Sequence, residues 1–197
     1  MAEKDFQSEF TRGLQAAGAH AYKIPDIPVG QLRAAGIMRF VEAKPYDCYF
    51  AAPGVPWCAC ELKQAKKQSV STGRDTADLK PHQEASLLDV VRVGQVGLLV
   101  VHFFFEAGPQ VAKKLGLAPG QVVDRAFAAR IEDVVRARQE AGLDSLPVTW
   151  WEIHATELEL YREKGQRCWR PHLVFDWLSI GTQMSKLGRE LAGGLRG

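Results

Sequence analysis

Asp47 and the triplet Glu61-Leu62-Lys63 are separated by thirteen residues. A hairpin of two adjacent strands would close that spacing into one site holding two carboxylates and an amine. Carboxylate oxygens are hard ligands suited to Mg²⁺, with Mn²⁺ as a substitute. A cation held there stabilises charge on a phosphodiester while a neighbouring ammonium orients the attacking water. The chemistry open to these residue types is therefore metal-assisted phosphodiester hydrolysis.

A second triplet, Glu42-Ala43-Lys44, follows Pro25-Asp26 and offers a competing set, Asp26, Glu42 and Lys44. Its surroundings differ. Pro45 follows Lys44 directly, removes a ladder donor and biases the residue before it away from helix, so Lys44 should end its strand. Glu61 instead lies in Trp57-Cys58-Ala59-Cys60-Glu61-Leu62-Lys63, an apolar run that turns polar at Glu61. That pattern is a buried strand delivering its functional groups at one end, and it favours Asp47, Glu61 and Lys63.

The elements around the motif read as follows. Phe6, Phe10, Leu14 and Ala17 recur at helical spacing over residues 5–18, and Gly18 is the stop. Glu9 falls on another face of that helix. Strands are expected at Ala19–Ile24, Ile37–Ala43, Asp47–Ala52 and Trp57–Leu62, with Pro53-Gly54 turning the last pair. Residues 64–79 read as a mobile polar loop. A helix from Pro81 to Arg92, with Pro at its first position and Gly94 as its stop, precedes the apolar strand Val96–Phe105. Residues 107–147 read as a helical insertion, most clearly over Asp124–Gln139, and Val148–Ile153 as a strand carrying one core and one exposed tryptophan at Trp150-Trp151. The fold class is α/β, with a central mixed β-sheet flanked by helices. One domain spans residues 1–180, and a Gly- and Arg-rich tail, 181–197, is expected to fray.

A chain of 197 residues with 46% hydrophobic and 24% charged residues can bury an ordinary core. Its net charge of +2 does not by itself demand a polyanionic partner. Local clustering matters more: five basic residues lie between Lys63 and Lys80, and four between Arg162 and Arg170. Each cluster is either a phosphate track or a solvated face. No apolar stretch approaches a membrane span and no signal-peptide pattern opens the chain, so a cytoplasmic location is expected, in a host cell if the protein is phage-encoded. Cys48, Cys58, Cys60 and Cys168 lack zinc spacing and read as core fillers in a reducing compartment. His20, His102, His154 and His172 have no partners at metal spacing. Asparagine is absent, which fits a hot environment or GC-rich coding equally.

Four stretches together carry a family resemblance: Ala21-Tyr22-Lys23 leading into Pro25 and Pro28; Pro45-Tyr46-Asp47; Glu61-Leu62-Lys63-Gln64; and Pro81-His82-Gln83 followed by Leu87-Leu88 and Gly94. Over roughly residues 5–105 the chain resembles the Holliday-junction resolvases of the RecU type, in the PD-(D/E)XK nuclease superfamily with its restriction-endonuclease-like fold. The resemblance implies Asp47 and Glu61 as metal ligands, Lys63 as the residue that positions water, and Gln83 as support for the scissile phosphate or a metal-bound water. It also implies that Glu9 completes the acidic cluster. DNA contacts are expected from Lys23, Lys66, Lys67, Arg74, Lys80 and His82, the last being equally a capping or packing residue. The implied substrate is branched DNA, a four-way junction cut symmetrically by a homodimer, with residues 25–36 as a shortened stalk. Duplex or flap cleavage by a phage, repair or restriction-type nuclease on the same fold is the alternative, as is a non-catalytic DNA-binding recombination modulator.

Overall fold

The computed structural model describes residues 3–25 and 44–170, together with 174, 175 and 178. The expected strand Ile37–Ala43, most of the expected stalk 25–36, Glu42, and the tail 181–197 lie outside the described residues. Within them the chain forms α1 (Glu3–Ala16), β1 (His20–Lys23), β2 (Cys48–Ala52), β3 (Val55–Ala65), β4 (Ser69–Ser71), α2 (Pro81–Arg92) and β5 (Val96–Glu106). It continues with α3 (Pro109–Leu115), β6 (Val122–Arg130), α4 (Ile131–Ala141), β7 (Ser145–Pro147), α5 (Val148–His154), β8 (Thr156–Glu163) and β9 (Gln166–Arg170). The described residues thus make a mixed α/β structure. Seven strands run in the order β1-β2-β3-β5-β6-β8-β9, and β4 pairs with β7 apart from them. Among the described strands of this sheet β3 and β5 pair in parallel, and the other neighbours are antiparallel.

Side-chain alternation divides the core into two layers. Cys58, Cys60 and Leu62 of β3, with Leu98 and Val100 of β5, face α1 and its Phe6, Phe10 and Leu14. Ala59 and Ala65, with Leu99, Val101 and Phe103, face Leu87 of α2, Val134 of α4 and Trp151 of α5. Glu61 and Lys63 share the parity of Ala59 and Ala65, and so belong to the α2 side. Two glycines let helices approach the sheet closely. A Cβ at Gly97 would meet the Leu87 carbonyl oxygen at 2.7 Å, and one at Gly13 would meet the Trp169 carbonyl oxygen at 1.9 Å. The first approach seats α2, the helix that carries Gln83, against β5.

Three expectations are corrected, and one element was not foreseen. Residues 107–147 are not all helical, because Val122–Arg130 is a strand paired with β5 along its length. Its alanines favour helix, yet Ala126 and Ala128 pack on one face of the sheet and Val123, Phe127 and Ala129 on the other, so pairing overrides propensity. The apparent period joining Phe127 to Ile131 and Val134 crosses a strand–helix junction. Val148–Ile153 is the start of a helix, with Val148 and Trp151 buried one turn apart and Trp150 half-buried. Residues 64–79 are anchored: β3 runs on to Ala65, β4 pairs with β7, and Val70 and Leu79 are fully buried. Beyond Thr156, β8 and β9 form an unforeseen hairpin, which turns at Lys164-Gly165 with φ of 49° and 80°.

Candidate active site

The antiparallel register sets Cys48 opposite Cys60, which brings Asp47 alongside the Cys60–Leu62 segment. The Asp47 N–H donates to the Cys60 carbonyl at 3.0 Å, and the Leu62 N–H donates to Asp47 Oδ2 at 2.9 Å. The first bond fixes the aspartate's backbone beside Glu61, and the second orients its carboxylate.

Glu61 is 1% exposed. Its Oε1 accepts from Lys63 Nζ at 2.7 Å and from Gln83 Nε2 at 2.5 Å. Its Oε2 is buried with no hydrogen-bond partner among the described residues. Burial, reinforced by the charge of Asp47 and opposed by Lys63, raises the Glu61 carboxyl from 4.5 to about 7. Gln83 is aimed by the helix start. Lys80 is the N-cap, Pro81 opens α2, and the Lys80 N–H donates to Gln83 Oε1 at 3.1 Å, which leaves the amide nitrogen to reach Glu61.

Asp47, Glu61, Lys63 and Gln83 are therefore brought together. Lys44, assigned by its triplet to the competing set, joins them: its Nζ lies 2.8 Å from Asp47 Oδ1. Lys44 directly precedes Pro45, yet its side chain reaches an aspartate three residues later. The i, i+3 spacing across a proline was the available signal.

Glu9 is not brought to this group. It lies on α1, over the opposite face of the sheet, where Arg167 Nε and Trp169 Nε1 each donate to its carboxylate at 3.1 Å. Arg167 also binds Asp124, at 3.1 and 3.2 Å, and Asp124 accepts from Nε2 of the fully buried His102 at 2.8 Å. Burial holds the His102 pKa below its ordinary value against the pull of Asp124, so the ring is neutral near pH 7. Asp124 and Arg167 were not foreseen as partners, because residue 124 read as helical and β9 was not recognised.

The six expected DNA contacts are dispersed. Lys23 is half-buried at the end of β1, opposite Cys48. Lys66 is exposed just past β3, while Lys67 pairs with Asp78 at 2.9 Å and Arg74 pairs with Asp144. Lys80 and His82 are exposed at the N-terminus of α2, flanking Pro81 and next to Gln83.

Among the described residues no group of three or more His, Cys, Asp and Glu side chains could hold a metal ion. The site is a carboxylate pair. That set fits Mg²⁺, which keeps several waters and takes one or two protein carboxylates. The buried, unpartnered Glu61 Oε2 is a donor atom with that valence open. The described helices include none long and apolar enough to cross a membrane.

No protein-family model matches the chain, and no curated protein matches it. Among solved structures, the chain is similar to Hjc of Archaeoglobus fulgidus, a Holliday junction resolvase from an archaeal hyperthermophile. The TM-score is 0.46 at 12% identity, over 78% of this chain and 94% of that one.

Proposed function

We propose that the protein is a Mg²⁺-dependent endodeoxyribonuclease of the PD-(D/E)XK, restriction-endonuclease-like type, acting on branched DNA. The observation that carries this reading is the convergence of Asp47, Glu61, Lys63 and Gln83 where β2, β3 and α2 meet, with one Glu61 oxygen buried and unsatisfied. Asp47 and Glu61 are the residues that would hold the cation. Bound there, it would supply Lewis-acid stabilisation of the charge developing on a phosphodiester.

The chain's own groups do the remaining work. The Leu62 N–H and Lys44 hold the Asp47 carboxylate in place through its two oxygens. Lys63 and Gln83 converge on one Glu61 oxygen and leave the other open. Lys63 is bonded to Glu61 and its side chain is 14% exposed, so its ammonium reaches solvent beside the carboxylate pair and is placed to orient a water for attack. Gln83 holds the glutamate rotamer and has its own orientation fixed by the cap of α2. A non-catalytic DNA-binding protein would have no use for a buried carboxylate pair beside phosphates, since it repels them.

We further propose a four-way junction as substrate and a homodimer as the acting form, following the family resemblance. Resolving a junction requires cuts in two opposing strands, and an isologous dimer sets two identical sites in symmetric positions. The test is to incubate the protein with labelled junction, flap and duplex DNA, with and without Mg²⁺. Paired symmetric nicks in the junction, and at least about tenfold tighter binding to it than to duplex, are expected; 1.4 kcal/mol of differential contact suffices for that ratio. A monomer in sedimentation that cuts junction and duplex equally would move the protein to general duplex cleavage.

The salt dependence of binding separates phosphate contacts from solvated charge. Lys66 and Lys80 have no ion-pair partner among the described residues, so Lys66→Ala and Lys80→Ala should each lower the slope of log K against log salt by about one. Lys67→Ala and Arg74→Ala should lower it less, because Asp78 and Asp144 already compete for those cations. Equal slopes for wild type and a Lys66/Lys80 double variant would return both residues to the solvated surface.

A further inference from the structure

Past the C-terminal ends of the parallel strands β3 and β5 lies a cavity of about 630 Å³, open to solvent and separate from the acidic pair. Such a volume is in the range of small-molecule sites. Phe105 supplies an aromatic wall. It is half-buried and held edge-on by Phe103, with centroids 6.4 Å apart, so the ring is fixed. Lys66 and Lys67 stand on one side of the cavity, and Gln68, Glu106 and Gln110 add amide and carboxylate groups.

Its position along the sheet connects it to the candidate active site. Lys63 pairs with Val101 in the parallel register, and Phe105 is four residues further on the same face. At the rise of an extended strand that is about 13 Å. It equals about four base steps of B-form DNA at 3.4 Å each.

We infer that this cavity receives one unstacked nucleotide of the DNA strand cut at Glu61 and Lys63. The inference rests on the nuclease reading above and adds a second point of contact to it. The three parts of a nucleotide each find a counterpart. A base stacks on the fixed Phe105 ring, whose contact tolerates any base because every base has a π face. Donors on the base edge meet Glu106 and Gln110, a carboxylate being an acceptor for exocyclic amines. The flanking phosphates meet Lys66 and Lys67. Lys67 is half-exposed and bound to Asp78 by a surface ion pair, a weak interaction that a phosphate can displace. Glu106 disfavours a bare inorganic anion in the same space, which selects a base-bearing ligand over free phosphate. Branched DNA supplies such nucleotides, because pairing and stacking are interrupted where its strands exchange.

The experiment is an abasic scan. Junction DNAs carrying one abasic residue at successive positions either side of the mapped cut are titrated against full-length Glu61→Gln protein, with binding read by fluorescence anisotropy. A loss of affinity of about tenfold is expected at one or two adjacent positions, within three to five nucleotides of the cut, the size of one stacked base. In a Phe105→Leu background that position should become insensitive while affinity for the intact junction falls by a similar factor. Gln110→Trp, which fills the cavity from an exposed helix position, should give the same flattened scan if the Phe105 variant does not fold. A scan that is flat from the outset, in protein whose wild-type form cuts the junction, overturns the pocket and leaves the nuclease reading standing. Failure of the wild type to bind or cut any DNA overturns both.

Discussion

Replacing Glu61 by Gln is expected to lower the rate of DNA cleavage by several orders of magnitude while leaving junction affinity equal to wild type or higher. The substitution keeps the volume and the acceptor that Lys63 and Gln83 share, so the hairpin and the start of α2 should hold their positions. What it removes is negative charge at the Glu61 oxygen that is buried with no hydrogen-bond partner among the described residues. That charge is needed to hold a divalent cation, and the cation acts on the transition state; uniform binding of DNA does not depend on it. Phosphates also gain, since one of two carboxylates repelling them is neutralised. Single-turnover cleavage and anisotropy on the same junction separate the two effects. A Glu61→Gln protein that cuts at the wild-type rate with Mg²⁺ would remove Glu61 from the chemistry, and with it the present site.

The local part of this site was legible because it depends on short-range rules. A proline–glycine turn between alternating strands sets the β2–β3 register, which is enough to place Asp47 beside Glu61. Pro81 at the first position of a helix places Gln83 in its first turn, one side chain from the same carboxylate. Lys44 was misjudged because Pro45 reveals where an extended segment ends but not where the side chain before it turns. Glu9 failed for a different reason. Helical periodicity shows that it stands off the Phe6, Phe10 and Leu14 stripe, but not which groups α1 meets, and those groups come from β9, some 160 residues away.

The same limit accounts for the misread middle of the chain. Ala126, Ala128 and Ala129 suit a helix in isolation, and only nine paired residues of β5 make them a strand. Once that strand was missed, the His102–Asp124–Arg167–Glu9 network could not be seen, because it joins four elements through long-range pairing. The network gives Glu9 a structural role, tying α1 to β9 on the face of the sheet away from the carboxylate pair.

The buried carboxyl also predicts how stability responds to pH and to metal, and this can be tested without DNA. The folded protein raises the Glu61 carboxyl from 4.5 to about 7, so between those values the native state holds a proton that the unfolded chain releases. Stability falls with pH wherever the native state binds more protons. The contribution is thus complete below about pH 4.5 and is lost as pH rises through about 7. The displacement corresponds to on the order of 3 kcal/mol against the ionised form. Urea unfolding at pH 5 and pH 8.5, without divalent cations, should show wild type losing about that much more stability than Glu61→Gln, whose side chain is neutral throughout. Millimolar Mg²⁺ at pH 8.5 should then restore wild type, because a cation bound only by the native state adds stability with its concentration. It should have little effect on Glu61→Gln, which lacks one of the two carboxylates. Equal pH dependence in the two proteins would mean that Glu61 ionises without penalty. Equal stabilisation of both by Mg²⁺ would mean that the cation binds somewhere other than between Asp47 and Glu61.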